Sequence, residues 1–410
     1  MNGKNNMKSG RTLLMTLALA MAAVSPAGAA EQMKQEAAGN GFSLHGFGTL
    51  GLARTDDDDA QFVRDLSQPY GLTSRWSAKV DSMIGLQAGY QFNDKLEAVL
   101  QAVSRYHSEG NFAPEVSWAF LRYDPDPTAS LRIGRLGTEF YMLADSRLVG
   151  YANLTVRPPP DYFGPLVLSY VDGIDGAKSI PLGNGLLRGK LFAGISPEKM
   201  YLGSGLYWDM SGSLVAGGHL DYLTGPWQIR IGQTRVRFDK GPPINEFAGL
   251  PDFTDQVPEM EVAGKWTTYD SLGLVYDNSP FQLQLMLSRI DQGSAAFEDS
   301  RAGYVIASYR TGNVTPFIGY SRTKSEAARF TSTPPFPYGA YATALSESTH
   351  ADQHTWFLGA RWDLRKDLDL KAQVDWINGS PNSVFPYREE KIPGWDGDMT
   401  VFSLALDFVF

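Results

Sequence analysis

The chain has 410 residues, no cysteine and a formal net charge of -9, from 45 acidic and 36 basic side chains. The acidic balance argues against a nucleic-acid partner, and the lack of cysteine excludes disulfide staples and thiolate metal sites. Hydrophobic residues reach 43%, aromatics 12% and glycines 42, yet after the first thirty residues no run approaches the ~18 apolar residues of a spanning helix. Strands and turns suit this composition better than long helices.

Residues 1–30 read as a cleaved export signal. Lys4, Lys8 and Arg11 precede an apolar run from Thr12 to Val24, and Ala27-Gly28-Ala29 supplies small residues for cleavage, in the order of a secretory signal peptide. Cleavage after Ala29 or Ala30 removes three cations and no acid, which leaves a mature chain of 31–410 with charge -12 (-9 less 3).

Beyond that point the chain alternates with a period of two. From Arg75 to Phe92 one face carries Trp76, Ala78, Val80, Ile84, Leu86, Ala88, Tyr90 and Phe92, with Ser82 as the exception. The other face carries Ser77, Lys79, Asp81, Met83, Gly85, Gln87, Gly89 and Gln91. Such a run is far longer than an ordinary strand of about five or six residues, and a tilted strand crossing a bilayer accounts for it. Similar runs follow in pairs across short turns at Asn93-Asp94, Asp277-Asn278-Ser279-Pro280, Thr311-Gly312 and Arg365-Lys366, each a hairpin signal. Long polar segments at about 55–73, 137–163, 239–264, 324–352 and 379–398 separate the pairs. Short turns alternating with long loops is the asymmetry of an outer-membrane barrel.

The predicted strands are 44–54, 74–92, 95–108, 114–123, 129–136, 164–172, 185–195, 211–223, 226–238, 265–277, 280–291, 301–310, 313–323, 353–364, 367–378 and 399–410. They make about sixteen, with 129–136 and 164–172 the shortest alternations and 201–208 a further segment able to pair. The fold class is therefore all-β: one transmembrane antiparallel barrel, with short periplasmic turns and long extracellular loops.

Aromatics gather at strand ends on the apolar faces (Trp76, Tyr90, Phe92, Trp227, Tyr276, Trp356, Trp362, Trp376, Phe402 and Phe410), as membrane-interface girdles do. The opposite faces carry Lys79, Arg105, Arg188, Lys190, Arg230, Arg361 and Lys371 together with Asp81, Glu97, Asp221, Asp363, Asp369, Asp375 and Asp407. Charges of both signs on one face imply a hydrated interior, because burying ions in low dielectric is costly.

The last run, Met399 to Phe410, puts Phe402, Leu404, Leu406, Phe408 and Phe410 on one face and ends on an aromatic residue. This ending resembles the C-terminal strand of outer-membrane barrels. Joined to the export signal, the missing cysteines and the strand pattern, it makes the mature chain resemble the Gram-negative general porins along its length. The resemblance implies a homotrimer in an outer membrane, surrounded by lipid and lipopolysaccharide. It implies passive diffusion of small hydrophilic solutes or ions, with Phe410 read by the barrel-assembly machinery. It also implies that the loop after Leu131-Arg132-Ile133-Gly134-Arg135-Leu136, here 137–163, folds into the lumen. Glu139, Asp145, Arg157 and Asp161 would then form the constriction, opposite wall cations Lys79, Arg105, Arg132, Arg188, Lys190 and Arg230. The rigid Arg157-Pro158-Pro159-Pro160 run lies in that loop.

No cofactor is implied. The five histidines, at 45, 107, 219, 350 and 354, are scattered, and His350 and His354 fall in a Ser- and Ala-rich loop, unlike a helical zinc pair. Gly46-Phe47-Gly48-Thr49-Leu50-Gly51 spells a dinucleotide-type glycine motif but sits in a predicted strand with no helix after it. Asp56 to Asp59 reads either as a solvated loop or as a Ca²⁺ site, and it lacks EF-hand spacing. The rivals to a channel are an adhesive or structural barrel acting through its loops and, further off, an outer-membrane hydrolase.

Overall fold

The computed structural model describes residues 41–410 apart from 167, 204, 329, 332, 384–386 and 389–393. The expected export signal lies outside the described residues. Sixteen strands form one closed antiparallel barrel in which each pairs with its neighbours in sequence and the last returns to the first. They are β1 (Phe42–Thr55), β2 (Met83–Asn93), β3 (Leu96–Arg105), β4 (Pro114–Asp126), β5 (Ala129–Gly137), β6 (Tyr170–Leu182), β7 (Gly185–Ile195) and β8 (Leu214–Thr224). The circuit continues through β9 (Trp227–Arg237), β10 (Trp266–Asn278), β11 (Phe281–Asp291), β12 (Asp299–Tyr309), β13 (Val314–Glu326), β14 (Asp352–Arg365), β15 (Leu368–Gly379) and β16 (Asp398–Val409). Closure leaves no free sheet edge. β16 meets β1 in register from Phe47 opposite Val409 to Thr55 opposite Val401, and Phe410 exchanges backbone hydrogen bonds with Gly46 at 2.8 and 2.9 Å.

Turn chemistry sets one end of the barrel. Between β6 and β7 only Gly183-Asn184 intervene, and Gly183 has φ 58°, a left-handed value that favours glycine. The connections at the other end are long and fold back inward or pair among themselves. Lys199–Gly203 and Leu206–Asp209, where pairing was expected, form a hairpin apart from the barrel, and Gln61–Phe62 pairs with Tyr387–Arg388.

Two strands differ from the sequence expectation. The alternation read as one strand over 74–92 is a strand only from Met83; residues 75–82 are loop, joined to β1 by the isolated bridge Ala53 to Ser77 and by the Ser82 hydroxyl, which accepts from the Gly51 N–H at 3.0 Å. Asp81 there turns inward to an arginine, a demand that period-two alternation does not express. The strand expected at 164–172 runs instead over Tyr170–Leu182, because Leu166 and Leu168 are drawn into an apolar cluster inside the barrel. Gly173, Gly176 and Pro181 occupy the true strand, and all are poor strand formers.

The outward face is apolar and exposed: Leu50, Ile84, Leu86, Leu100, Ile133, Leu191, Ile231, Ile318, Leu358 and Leu404 all point away from the barrel axis. Trp227 and Tyr276 pack at 4.6 Å and Tyr320 and Trp356 at 4.9 Å on that surface. No described helix is long and apolar enough to cross a membrane. The core lies inside the barrel, where the long connections meet the inward side chains.

Candidate functional site

The segment after β5 fills much of the lumen. Its two ends are tied together: Thr138 donates from its backbone N–H to Ser169 at 3.0 Å and from its hydroxyl to the Leu168 carbonyl at 2.8 Å. From that base the chain crosses the barrel and lines opposite walls by different means.

On one side the contacts are apolar and aromatic. Phe140 stacks on Tyr269 of β10 at 4.9 Å, Tyr141 packs on Tyr162 at 4.7 Å, and Tyr162 meets Tyr304 of β12 edge-on at 5.2 Å. Met142 sits over Gly273, where a Cβ would strike its sulfur. Leu143 holds φ 68°, which costs a non-glycine residue about 1–2 kcal/mol and requires the flanking packing to fix it.

On the other side the contacts are ionic. Arg157, in the Arg-Pro-Pro-Pro run, is fully enclosed; it grips Asp81 at 2.6 and 2.8 Å, Asp375 of β15 at 3.1 Å and the Ser403 hydroxyl of β16 at 2.6 Å. The prolines that follow open the short helix Pro160–Phe163, which sets Asp161 to accept from Ser321 of β13 and Gln353 of β14 at 2.6 and 2.5 Å. Burial pushes the Asp161 carboxyl above its ordinary range. Gly150 lies so close to Asp407 and Thr49 that a side chain would collide with both, and its carbonyl accepts from Lys371 at 2.8 Å. Tyr151 reaches the Lys366 carbonyl at the β14–β15 turn, at 2.7 Å.

At its start the segment places Glu139 among basic side chains from four strands. Lys190 contacts it directly, His219 Nε2 lies at 3.0 Å, Arg132 at 3.3 Å and Arg230 at 3.8 Å. Burial alone would raise this carboxyl; Lys190, His219 and Arg132 hold it well below its ordinary value instead. Asp145 lacks such contacts, and burial with the nearby Glu139 raises it.

The first long connection also enters the barrel. Arg105 of β3 donates to Ser67 at 2.7 Å and lies 3.8 Å from Asp65, while Arg64 donates to the Arg147 carbonyl at 2.6 Å. Between this region, residues 144–149 and the β3–β4 wall remains a gap of about 30 Å³, bordered by Gln101, Arg105, Trp118, Asp145 and Arg147. That is room for about one or two water molecules.

The structure thus puts Glu139, Asp145, Arg157 and Asp161 on one inward segment, and Arg105, Arg132, Arg188, Lys190 and Arg230 on inward strand faces. Lys79 requires correction as a wall residue. It lies in the loop before β2, exposed, with its ammonium 5.4 Å from the Tyr106 ring centre, because the strand that would have aimed it inward begins four residues later. Sequence reasoning missed His219 and Asp175 as site residues. Asp175 becomes visible only once β6 is set at Tyr170–Leu182, opposite Arg132.

Asp56 to Asp59 serve the loops. Asp56 accepts from the Thr400 backbone, Asp57 from the Trp395 indole and the Asp59 backbone, and Asp58 from Ser74. Among the described residues no group of three or more His, Asp or Glu is arranged for a metal ion. Ser325, at the end of β13, meets His350 and Glu298, but the hydroxyl and the carboxylate both engage the same ring nitrogen, His350 Nδ1, at 3.3 and 2.8 Å. A nucleophile, base and orienting acid would stand in series.

No protein-family model matches the chain, and no curated protein is similar to it in sequence. Solved structures do resemble it. OmpF of Salmonella typhi, in complex with daunomycin, superposes with a TM-score of 0.56 at 14% identity, over 91% of this chain and 98% of that one. The anion-selective porin of Comamonas acidovorans gives 0.53 at 15% identity, over 90% and 99%. The outer-membrane OmpT of Vibrio cholerae gives 0.50 at 12%, over 90% and 98%. The class that these likenesses and the closed sixteen-stranded barrel define is the general-porin fold.

Proposed function

We propose that this chain is an outer-membrane channel of the general-porin kind, through which small hydrophilic solutes or ions diffuse passively without covalent chemistry. The carrying observation is the pairing of an apolar outer surface with a charged interior entered by the long segment 138–169 and by the first long connection. In this reading that segment narrows the pore, with Glu139 facing the wall cations, Asp145 beside it, and Arg157 and Asp161 bracing the segment on wall carboxylates, hydroxyls and an amide, so that width and charge set selectivity. Export by residues 1–30, assembly through Phe410, a homotrimeric state and contact with lipid and lipopolysaccharide belong to the same proposal.

A second reading, a barrel that presents its loops to a surface partner and conducts little, has one observation in its favour: both the segment 138–169 and the first long connection pack inside the barrel against its wall. Planar-bilayer recording separates the two. A channel shows discrete steps, and Glu139→Gln with Asp145→Asn shifts its reversal potential toward anions. Folded protein that inserts and yields no steps rejects the channel in favour of the structural barrel.

A further inference from the structure

The wall around Glu139 carries an excess of positive charge. Arg132 on β5 forks onto Asp175 of β6, with Nε 3.0 Å from both oxygens, and Arg230 on β9 forks onto Asp221 of β8 at 2.6 and 3.0 Å. Those two pairs balance. Lys190 on β7 lies 3.1 Å from the already engaged Asp175, and His219 Nδ1 lies 3.0 Å from Asp221. Without Glu139 the five wall charges sum to one positive before His219 is counted, and Asp145, the other acid of the segment near these cations, makes no ion pair with them among the described residues. The side chains of Lys190 and His219 are only 4% and 2% exposed, and an unbalanced charge at that depth is costly. The wall alone is therefore a socket shaped for one more carboxylate.

The socket lies at mid-height and toward the short-turn side, since Lys190 and His219 are central in β7 and β8 while Arg132 and Arg230 are three residues from the turn-side ends of β5 and β9. Two residues nearer the turn than Lys190, on the same inward face, Arg188 is half-buried and makes no ion pair among the described residues. Partly exposed Gln228, Gln282 and Gln284 share that inward surface. An anion entering from the turn side meets Arg188 and then the socket.

We propose that Arg132, Lys190, His219 and Arg230 form a binding site for small carboxylate solutes, in which Glu139 is a tethered occupant that an incoming carboxylate displaces. The inference rests on the reading that the lumen is open to water from the short-turn side. Glu139 can leave without unravelling the segment, because the Thr138 bonds to Leu168 and Ser169 hold its base. A tethered carboxylate competes at high effective concentration, so the socket shows itself most clearly when Glu139 is shortened.

The test uses the full chain, folded in detergent, with sodium acetate as probe and sodium chloride at equal ionic strength as control. Glu139→Ala, or Glu139→Ser should the first fail to fold, empties the socket; Glu139→Gln keeps it filled by a neutral group. The expected result is that acetate, unlike chloride, raises the thermal unfolding midpoint of the shortened variant in a saturable way. Glu139→Gln stays flat and the wild type responds only at far higher acetate. Adding Lys190→Ala to the shortened variant abolishes the effect. Equal action of acetate and chloride on the shortened variant, or an acetate response that survives loss of Lys190, overturns the site. Because unfolding needs no current, a barrel that fails to conduct rejects the channel reading and leaves this result readable.

Discussion

The outward face of β2 and β3 presents Ile84, Leu86, Ala88, Tyr90 and Leu100, while the inward face of the same strands presents Gln87, Gln101 and Arg105. Each outward residue needs only an apolar surrounding and is indifferent to which neighbour provides it. The inward residues need particular partners, and many come from far along the chain. Arg157 meets Asp81 across 76 residues of sequence and Asp375 across 218. One wall therefore follows a repeating rule on its outside and a set of individual pairings on its inside.

The sharpest way to break that contrast is to remove one inward partner. Arg157→Ala leaves Asp81 and Asp375 enclosed without their cation and should destabilise the barrel by about 3–5 kcal/mol, as loss of one member of a buried pair does. Replacing all three, as Arg157→Met with Asp81→Leu and Asp375→Leu, should recover most of the loss. Denaturant unfolding of the folded barrel measures both. A small effect of the single substitution would mean that the inside tolerates loss as the outside does.

The outside is probed by parity. Ala88→Arg and Leu285→Arg place a charge toward lipid and should cost about 2–4 kcal/mol near the bilayer middle. Gln87→Arg and Gln284→Arg, one residue away on the inward face, should stay within about 1 kcal/mol. Equal costs at both parities would reverse the assigned faces.

The same contrast explains what was legible in the sequence. Alternation located sixteen strands because the outward rule repeats locally, and it placed Gly185–Ile195 to the residue. Where it overran, the error carried its own mark: Ser82, the break in the run from Arg75 to Phe92, directly precedes the true start of β2 at Met83. Charges on the inward faces were visible, but their pairing was not, since Lys371 bonding to the Gly150 carbonyl or Asp161 to Ser321 depends on loop paths with no period. The aromatic packing of Phe140, Tyr162, Tyr269 and Tyr304 was equally hidden, because period-two logic hands aromatics to lipid and these four face the lumen.

The central claim is that segment 138–169 restricts a pore through the barrel, and single-channel conductance of a variant lacking residues 141–160 tests it most directly. Heat-modifiable migration first establishes that the shortened chain is a folded barrel. The account predicts a conductance several times that of the wild type, since the deletion removes the Tyr141–Tyr162 packing and the Arg157 bridge from the lumen. A folded, inserted barrel whose conductance equals that of the wild type would contradict it.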